Sequence, residues 1–180
     1  RIGDKDLAFM QVEQLLIQPH GWDYCAMNDH TQYPARELTR RLSEDALVRR
    51  FAPLLVHARA TPVLLQTWAY RTEGRYDSAD LGDAAAFTWR VVAGYDTYAE
   101  ALSAALPPAL RPRVAPVGEA FLVVHDERHD LWVELFNSDD KHLAPIGTFL
   151  EACVVHCTIF GQPPPPASAI PSDPQSLWAA

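Results

Sequence analysis

Asp139 and His142 are the two side chains in this sequence whose types and spacing best suit proton transfer. A carboxylate three residues before a histidine can accept a hydrogen bond from one imidazole nitrogen while the other nitrogen faces a cleft. In a nucleophile, base and acid arrangement, such a pair supplies the acid that orients and the base that takes the proton. The alternative is structural, with Asp139 as a helix cap and His142 as a surface residue.

The elements that must position this pair follow from the spacing of apolar residues. Ile146 to Phe160 is strongly apolar and predicts an amphipathic to fully buried helix, ended by Gly161. Upstream, helices are predicted at 6–18, 42–60, 97–106 and 118–130, and strands at 22–27, 61–70 and 113–117. Ser43 is the expected cap of the second helix, Pro53 its expected kink, and Tyr70 to Asp96 a long loop with weak helix near Ala84 to Arg90.

Strands that alternate with helices are typical of a layered α/β domain with a parallel sheet. Active sites in such sheets lie beyond the carboxyl ends of the strands. The segments Trp22–Asp29, Gln66–Tyr70, Val117–Glu119 and the loop Asp139–His142 are all expected at such ends. The sequence therefore predicts that Asp139 and His142 lie at a cleft on this edge of the sheet.

Composition limits the kinds of protein this chain can be. Its 180 residues, 48% hydrophobic, fit one domain over residues 1–161, followed by a Pro-rich tail over 162–180. A formal charge of −8 without a basic block argues against nucleic-acid binding, and no apolar run approaches the roughly 18 residues of a membrane span. Three cysteines indicate no disulfide framework, and a chain that begins with Arg1 is expected to be processed or truncated, which leaves its compartment open.

Several stretches resemble one enzyme superfamily. "DDKHLAPIGTFLEA" followed by "FGQPP" resembles the last conserved block of the SGNH, or GDSL-type, hydrolases. "WDYCAMNDHTQYPA" is similar to the strand and loop that carry the Asn block in that superfamily, and "PVLLQTWAY" and "VAPVGEAF" are similar to the next two strand ends. The resemblance runs from about Leu15 to Pro165.

This resemblance implies a flavodoxin-like, three-layer α/β/α domain that hydrolyses an ester through a serine acyl-enzyme, as an esterase, lipase or deacetylase. It assigns Asp139 as the acid, His142 as the base and Asn28 as the oxyanion-hole donor. Small-molecule, carbohydrate or lipid esters are the implied substrates, with no cofactor and no metal. For Asn28 the alternative is a simple turn formed with Asp29.

The nucleophile of the superfamily has no equivalent here. None of the seven serines follows a Gly-Asp or Gly-Asn turn after an apolar strand. The sheet is therefore expected to lack its first strand, the serine to lie upstream of Arg1, and the isolated chain to be inactive. A sheet without its first strand has an exposed edge, which would allow association with another chain.

Two other functions stay open from the sequence. The domain could be a degenerate hydrolase that only binds a ligand or partner, with Trp68, Tyr70 and Phe121 lining a pocket or simply packing in the core. "HDERH" also places His125 and His129 at a zinc-helix spacing, with Glu134 as a further ligand for a zinc hydrolase. Its alternative is a solvated, charged helix end.

Overall fold

The computed structural model describes residues 12–18, 21–73 and 77–166. Within them a sheet of three parallel strands has the order β1-β2-β3. Its strands are β1 (Tyr24–Met27), β2 (Thr61–Leu65) and β3 (Arg113–Ala115). The predicted parallel sheet is confirmed, and β1 is an edge strand with no strand on its outer side among the described residues.

Helices connect the strands and follow the last of them. The helices of the described chain are α1 (12–16), α2 (Gln32–Ala35), α3 (Glu37–Ala46), α4 (Ala52–Ala58), α5 (Ala84–Ala105), α6 (Val117–Glu127), α7 (His129–Glu134) and α8 (Pro145–Phe160), with a π-helix at Leu47–Phe51 and 3₁₀ turns at Ala79–Leu81 and Pro108–Leu110. No helix within the described ranges is both long enough and apolar enough to cross a bilayer.

These helices cover both faces of the sheet. Arg113 of β3 lies over the Tyr24 ring of β1, with 5.3 Å from the guanidinium carbon to the ring centroid, and it donates to the Thr158 carbonyl of α8 at 3.0 Å. On the opposite face Met27 lines a cavity with Tyr95 of α5 and with residues of the π-helix. Because side chains alternate along a strand, these contacts define a helical layer on each side of the sheet.

The long loop predicted for Tyr70 to Asp96 is wrong in its second half, where the weak helix expected near Ala84 to Arg90 is part of a long helix. α5 begins at Ala84 and continues unbroken to Ala105, and the Asp83 carboxylate caps it by accepting from the Ala86 amide at 2.7 Å. Gly94, a poor helix former, is required inside α5 because a Cβ there would lie 2.3 Å from the Pro34 carbonyl oxygen. Packing against α2 therefore overrides the local signal.

The helix predicted to start at Ser43 also differs. α3 begins at Glu37, so Ser43 lies inside it rather than at its cap. The expected irregularity at Pro53 takes the form of the π-helix that precedes α4, with Pro53 in the first turn of α4. Proline lacks an amide hydrogen and clashes with the carbonyl four residues earlier, and the wider π turn accommodates this.

α8 ends where the sequence predicts but is not fully buried. Gly161 terminates it with a φ of 68°, a conformation that glycine adopts without strain. Among its residues only Gly147 is buried. It packs so closely against the residues before α8 that a Cβ there would lie 2.2 Å from the Leu135 carbonyl oxygen. The predicted start of the first helix and the residues 167–180 of the predicted tail lie outside the described residues, so the division into domain and tail stays a prediction.

Candidate active site

The carboxyl ends of the three strands meet at one edge of the sheet. Asn28 and Asp29 follow β1, the segment 66–70 follows β2, and the first turn of α6 follows β3. In parallel sheets this edge is where ligands bind. The predicted site residues can be located against these three ends.

Asp139 and His142 lie in a closed loop before α8. The loop is pinned at its base by the β-bridge between Phe136 and Leu143 and by the Asn137 amide, which donates to the His142 carbonyl at 2.8 Å. The Asn137 side chain also donates to the Leu143 carbonyl at 2.8 Å. These short-range bonds fix the loop as a unit.

The two predicted residues are in direct contact. His142 Nδ1 lies 2.5 Å from Asp139 Oδ2, and Asp139 Oδ1 accepts from the amides of Lys141 and His142, each at 3.0 Å. The bond from the His142 ring, followed by the two amide bonds, holds the pKa of Asp139 well below its usual range. An ionised carboxylate can only accept, so Nδ1 carries a proton, and Nε2 is the ring nitrogen left to act as a base.

The basic nitrogen is open to solvent. The His142 side chain is 81% exposed and the Asp139 side chain 47%. Nε2 makes no hydrogen bond to any residue in the described ranges. The geometry thus matches the predicted acid and base, while their catalytic role stays a prediction.

The segment after β2 holds the same loop from the other side, through contacts that the sequence did not predict. Asp140, with a φ of 66°, forms an ion pair with Arg71, accepts from the Thr72 hydroxyl at 2.6 Å, and accepts at its carbonyl from the Arg71 amide at 3.0 Å. The Trp68 indole donates to the Lys141 carbonyl at 2.9 Å. Of the two adjacent aspartates, Asp139 therefore orients the histidine and Asp140 anchors the loop to the sheet edge.

The aromatic residues suggested as a pocket lining are packed into the protein. Trp68 stacks on Phe121 with ring centroids 5.3 Å apart, and Phe121 also contacts Trp132 and Phe136 edge-on. Phe121 and Tyr70 are 1% and 4% exposed. Their contacts match the core-packing alternative.

The start of α6 is locked against the end of β2. The Glu119 amide donates to Gln66 Oε1 at 3.1 Å, and Gln66 Nε2 donates back to Glu119 Oε1 at 3.3 Å. A Cβ at Gly118 would lie 2.2 Å from the Thr67 carbonyl oxygen. Glycine is therefore needed at Gly118 for the helix to approach the strand end this closely.

Asn28 lies at the same edge of the sheet and lines a cavity of about 200 Å³. Its side chain is exposed and donates only a long bond of 3.4 Å, to the Asp29 carbonyl. In the described residues, no hydrogen bond connects Asn28 with Asp139 or His142. Its predicted role as oxyanion donor stays a prediction.

Asp29 is tied into the protein beside it. Its carboxylate accepts from the Tyr98 hydroxyl and from the His30 amide, each at 2.8 Å, and its amide donates to the Tyr95 hydroxyl at 3.1 Å. Burial raises the pKa of Tyr95 to about 12 and raises that of Tyr98 well above its usual range. Both tyrosines are thus neutral near pH 7 and serve as hydrogen-bonding partners of the strand end.

The segment His125–His129, which has the spacing of a zinc-binding helix, does not lie on a single helix. α6 ends at Glu127 and α7 begins at His129, with Arg128 between them at φ −144° and ψ 66°. The His125 and His129 rings pack edge-on at 5.2 Å, and His125 Nδ1 is 2.8 Å from an Asp126 carboxylate oxygen. Within the described ranges no three His, Cys, Asp or Glu side chains are grouped to hold a metal.

None of the serines within the described residues is hydrogen-bonded to His142. Ser43 lines the cavity beside Asn28, and Ser78 is buried. The structure therefore supplies no serine to the exposed Nε2 from the described part of the chain.

The described chain is an α/β protein with the SGNH hydrolase-like arrangement of parallel strands and flanking helices. Two solved structures have a similar fold. A protein from Slackia heliotrinireducens, described as "a putative SGNH hydrolase", matches with a TM-score of 0.60 and 22% identity over 86% of this chain and 73% of its own. A DUF4886 family protein from Bacteroides uniformis matches with a TM-score of 0.64 and 16% identity over 89% of this chain.

The chain spans 60% of the length of the Bacteroides uniformis protein. No family profile and no curated protein sequence matches this chain significantly. At 22% and 16% identity, the similarity to the two solved structures shows the fold alone. Any activity must therefore be argued from the residues at the sheet edge.

Proposed function

We propose that this chain carries the acid and the base of a serine ester hydrolase. The observation that supports the proposal is the contact of 2.5 Å between His142 Nδ1 and Asp139 Oδ2, with Nε2 left exposed. This is the orientation required of a general base whose tautomer is fixed by a carboxylate. The SGNH hydrolase-like fold is consistent with that chemistry.

In the proposed reaction, His142 Nε2 takes the proton of a serine hydroxyl as that oxygen attacks the ester carbonyl. The imidazolium is stabilised by Asp139 and returns the proton to the leaving alcohol, which gives an acyl-enzyme. Water then attacks the acyl group with His142 as base again, the bond from the acyl carbon to the serine oxygen breaks, and the imidazolium returns the proton to that oxygen as the carboxylic acid leaves. Asn28 would donate to the oxyanion, a contact worth roughly 3 kcal/mol of barrier in comparable sites.

The serine is proposed to lie outside these 180 residues. Because the His142 ring is exposed and its loop is anchored through Asp140, the loop can present Nε2 to a group on another segment without rearranging. The loop's connections to Arg71 and Trp68 keep it in place while the nucleophile is contributed from elsewhere.

A second candidate is a domain that binds a ligand without hydrolysing it. It is favoured by the lack of a serine hydrogen-bonded to His142 within the described residues. In that function Asp139 and His142 would only stabilise the loop before α8.

The test uses the protein expressed from its complete reading frame. Hydrolysis of p-nitrophenyl esters and labelling of the serine by a fluorophosphonate are measured for wild type, His142→Gln, Asp139→Asn and the control His57→Gln, an exposed histidine on α4. We expect His142→Gln to lower kcat by about 10²-fold to 10⁴-fold and His57→Gln to leave it unchanged. Unchanged kcat in His142→Gln refutes the proposed base, and a wild-type protein that is neither labelled nor active supports the binding domain.

A further inference from the structure

We propose that the cavity beside Asn28 binds the apolar acyl group of the ester, with room for about eight carbons. This inference rests on the proposed hydrolase function and specifies the class of substrate. The cavity lies against one face of the sheet and reaches the carboxyl end of β1 at Asn28 and Asp29, the edge where parallel sheets bind ligands.

The volume of the cavity limits the length of the acyl chain that it can hold. Its volume is about 200 Å³. An apolar protein cavity of about 150 Å³ holds benzene, which corresponds to about 25 Å³ for each carbon. By this measure the cavity beside Asn28 accepts about eight carbons.

The walls of the cavity are suited to a neutral, apolar group. Met27 and Leu64 of the sheet and Phe51 of the π-helix form apolar walls. The charged group at the cavity, Asp29, is already bonded to the Tyr98 hydroxyl and the His30 amide. A free carboxylate ligand would be repelled by Asp29, whereas an uncharged acyl chain would not.

The π-helix contributes to the space in the cavity. Leu47 and Phe51, its first and last residues, both line the cavity, and Ala46 directly before it leaves room because its side chain is only a methyl group. The wider turn of a π-helix occurs often at functional sites. Here the two ends of the π-helix form part of the cavity wall.

Asn28 sets the orientation in which an ester would bind in the cavity. Its exposed side-chain amide has a single long bond, to the Asp29 carbonyl, so it can donate to the carbonyl oxygen of a bound ester. With the ester carbonyl at Asn28, the acyl chain extends inward between the strand and the π-helix. The alcohol then remains outside, toward solvent.

A neighbouring groove must be distinguished from this cavity. It shares Met27, Asn28, Leu47 and Phe51 but runs along the open edge of β1, past Leu15. Ala46 and Ser43 line only the first cavity, and Leu15 lines only the groove. Substitutions at these positions therefore separate the two.

The experiment measures binding of methyl butanoate, hexanoate, octanoate and decanoate to the 180-residue chain by calorimetry. We expect affinity to rise by about four-fold for each added methylene up to eight acyl carbons and then to level off. Ala46→Phe should weaken octanoate ester binding at least ten-fold. Leu42→Phe, on an exposed position of α3, and Leu15→Glu should leave it unchanged.

Three outcomes would overturn the inference. They are affinity that keeps rising past eight carbons, weaker binding in Leu15→Glu, and unchanged binding in a folded Ala46→Phe variant. If Ala46→Phe does not fold, Ser43→Phe closes the same cavity from α3 and is read in the same way. His142→Ala should bind the esters normally, so a failure of catalysis in the complete protein is distinguishable from a failure of the acyl cavity.

Discussion

Gly118 is the position where a single added methyl group should disturb the sheet edge most directly. An alanine Cβ there would lie 2.2 Å from the Thr67 carbonyl oxygen, so α6 and the segment after β2 must separate by about 1 Å. Overpacking of this kind costs about 1 to 3 kcal/mol, and the upper end applies because both sides of the contact are backbone. Alanine returns at most about 1 kcal/mol of helix propensity. We therefore expect Gly118→Ala to lower the free energy of unfolding by about 2 kcal/mol.

The assay is equilibrium urea unfolding followed by circular dichroism, with Gly161→Ala as the matched control. A Cβ at Gly161 meets no atom within 4 Å, so this variant tests only the cost of the positive φ of 68°. That cost is about 1 kcal/mol. The reasoning is refuted if Gly118→Ala is as stable as wild type or no less stable than Gly161→Ala.

Two further predictions concern the loop and the buried tyrosines. Trp68→Phe keeps the stack on Phe121 but removes the hydrogen bond to the Lys141 carbonyl. The free energy of unfolding should therefore fall by about 1 kcal/mol, and amide hydrogen exchange in the loop Asp139–His142 should become faster. Unchanged exchange rates would contradict this. The pKa of Tyr95 is raised to about 12 in the folded protein, above its ordinary value near 10. The contribution of neutral Tyr95 to the free energy of unfolding is therefore intact below pH 10 and is lost as the pH rises through the pKa of the folded state. The free energy of unfolding in urea should decline between pH 9 and 12, and Tyr95→Phe should reduce this decline whereas Tyr33→Phe should not. Equal slopes of unfolding free energy against pH in wild type and Tyr95→Phe would count against this prediction.

Those features of the fold that depend on residues adjacent in sequence were predictable from the sequence. The three strands are short apolar runs, and the end of α8 is marked by Gly161. The unbroken α5 was missed because Gly94 weakens the local helical signal, while the packing that requires this glycine involves Pro34, far away in sequence. Sequence periodicity contains no information about such a partner.

The same distinction applies to the candidate site. The contact between Asp139 and His142 follows from a spacing of three residues and could be predicted. The ion pair between Asp140 and Arg71 and the bond from Trp68 to the loop connect segments far apart in the chain, so they required the three-dimensional structure. Local geometry thus predicts the acid and base, and tertiary contacts determine where they are held.

The parallel order of the sheet has a consequence for how the chain folds. Tyr24 pairs with Thr61, and Val63 pairs with Arg113, so each strand pairing must close a long stretch of chain. Closing such stretches costs entropy before any strand contact forms, whereas helices such as α5 can begin to form from neighbouring residues alone. The candidate site depends on the strand ends and on the link from the segment after β2 to the Asp139–His142 loop, so it should be among the last parts of the protein to assemble.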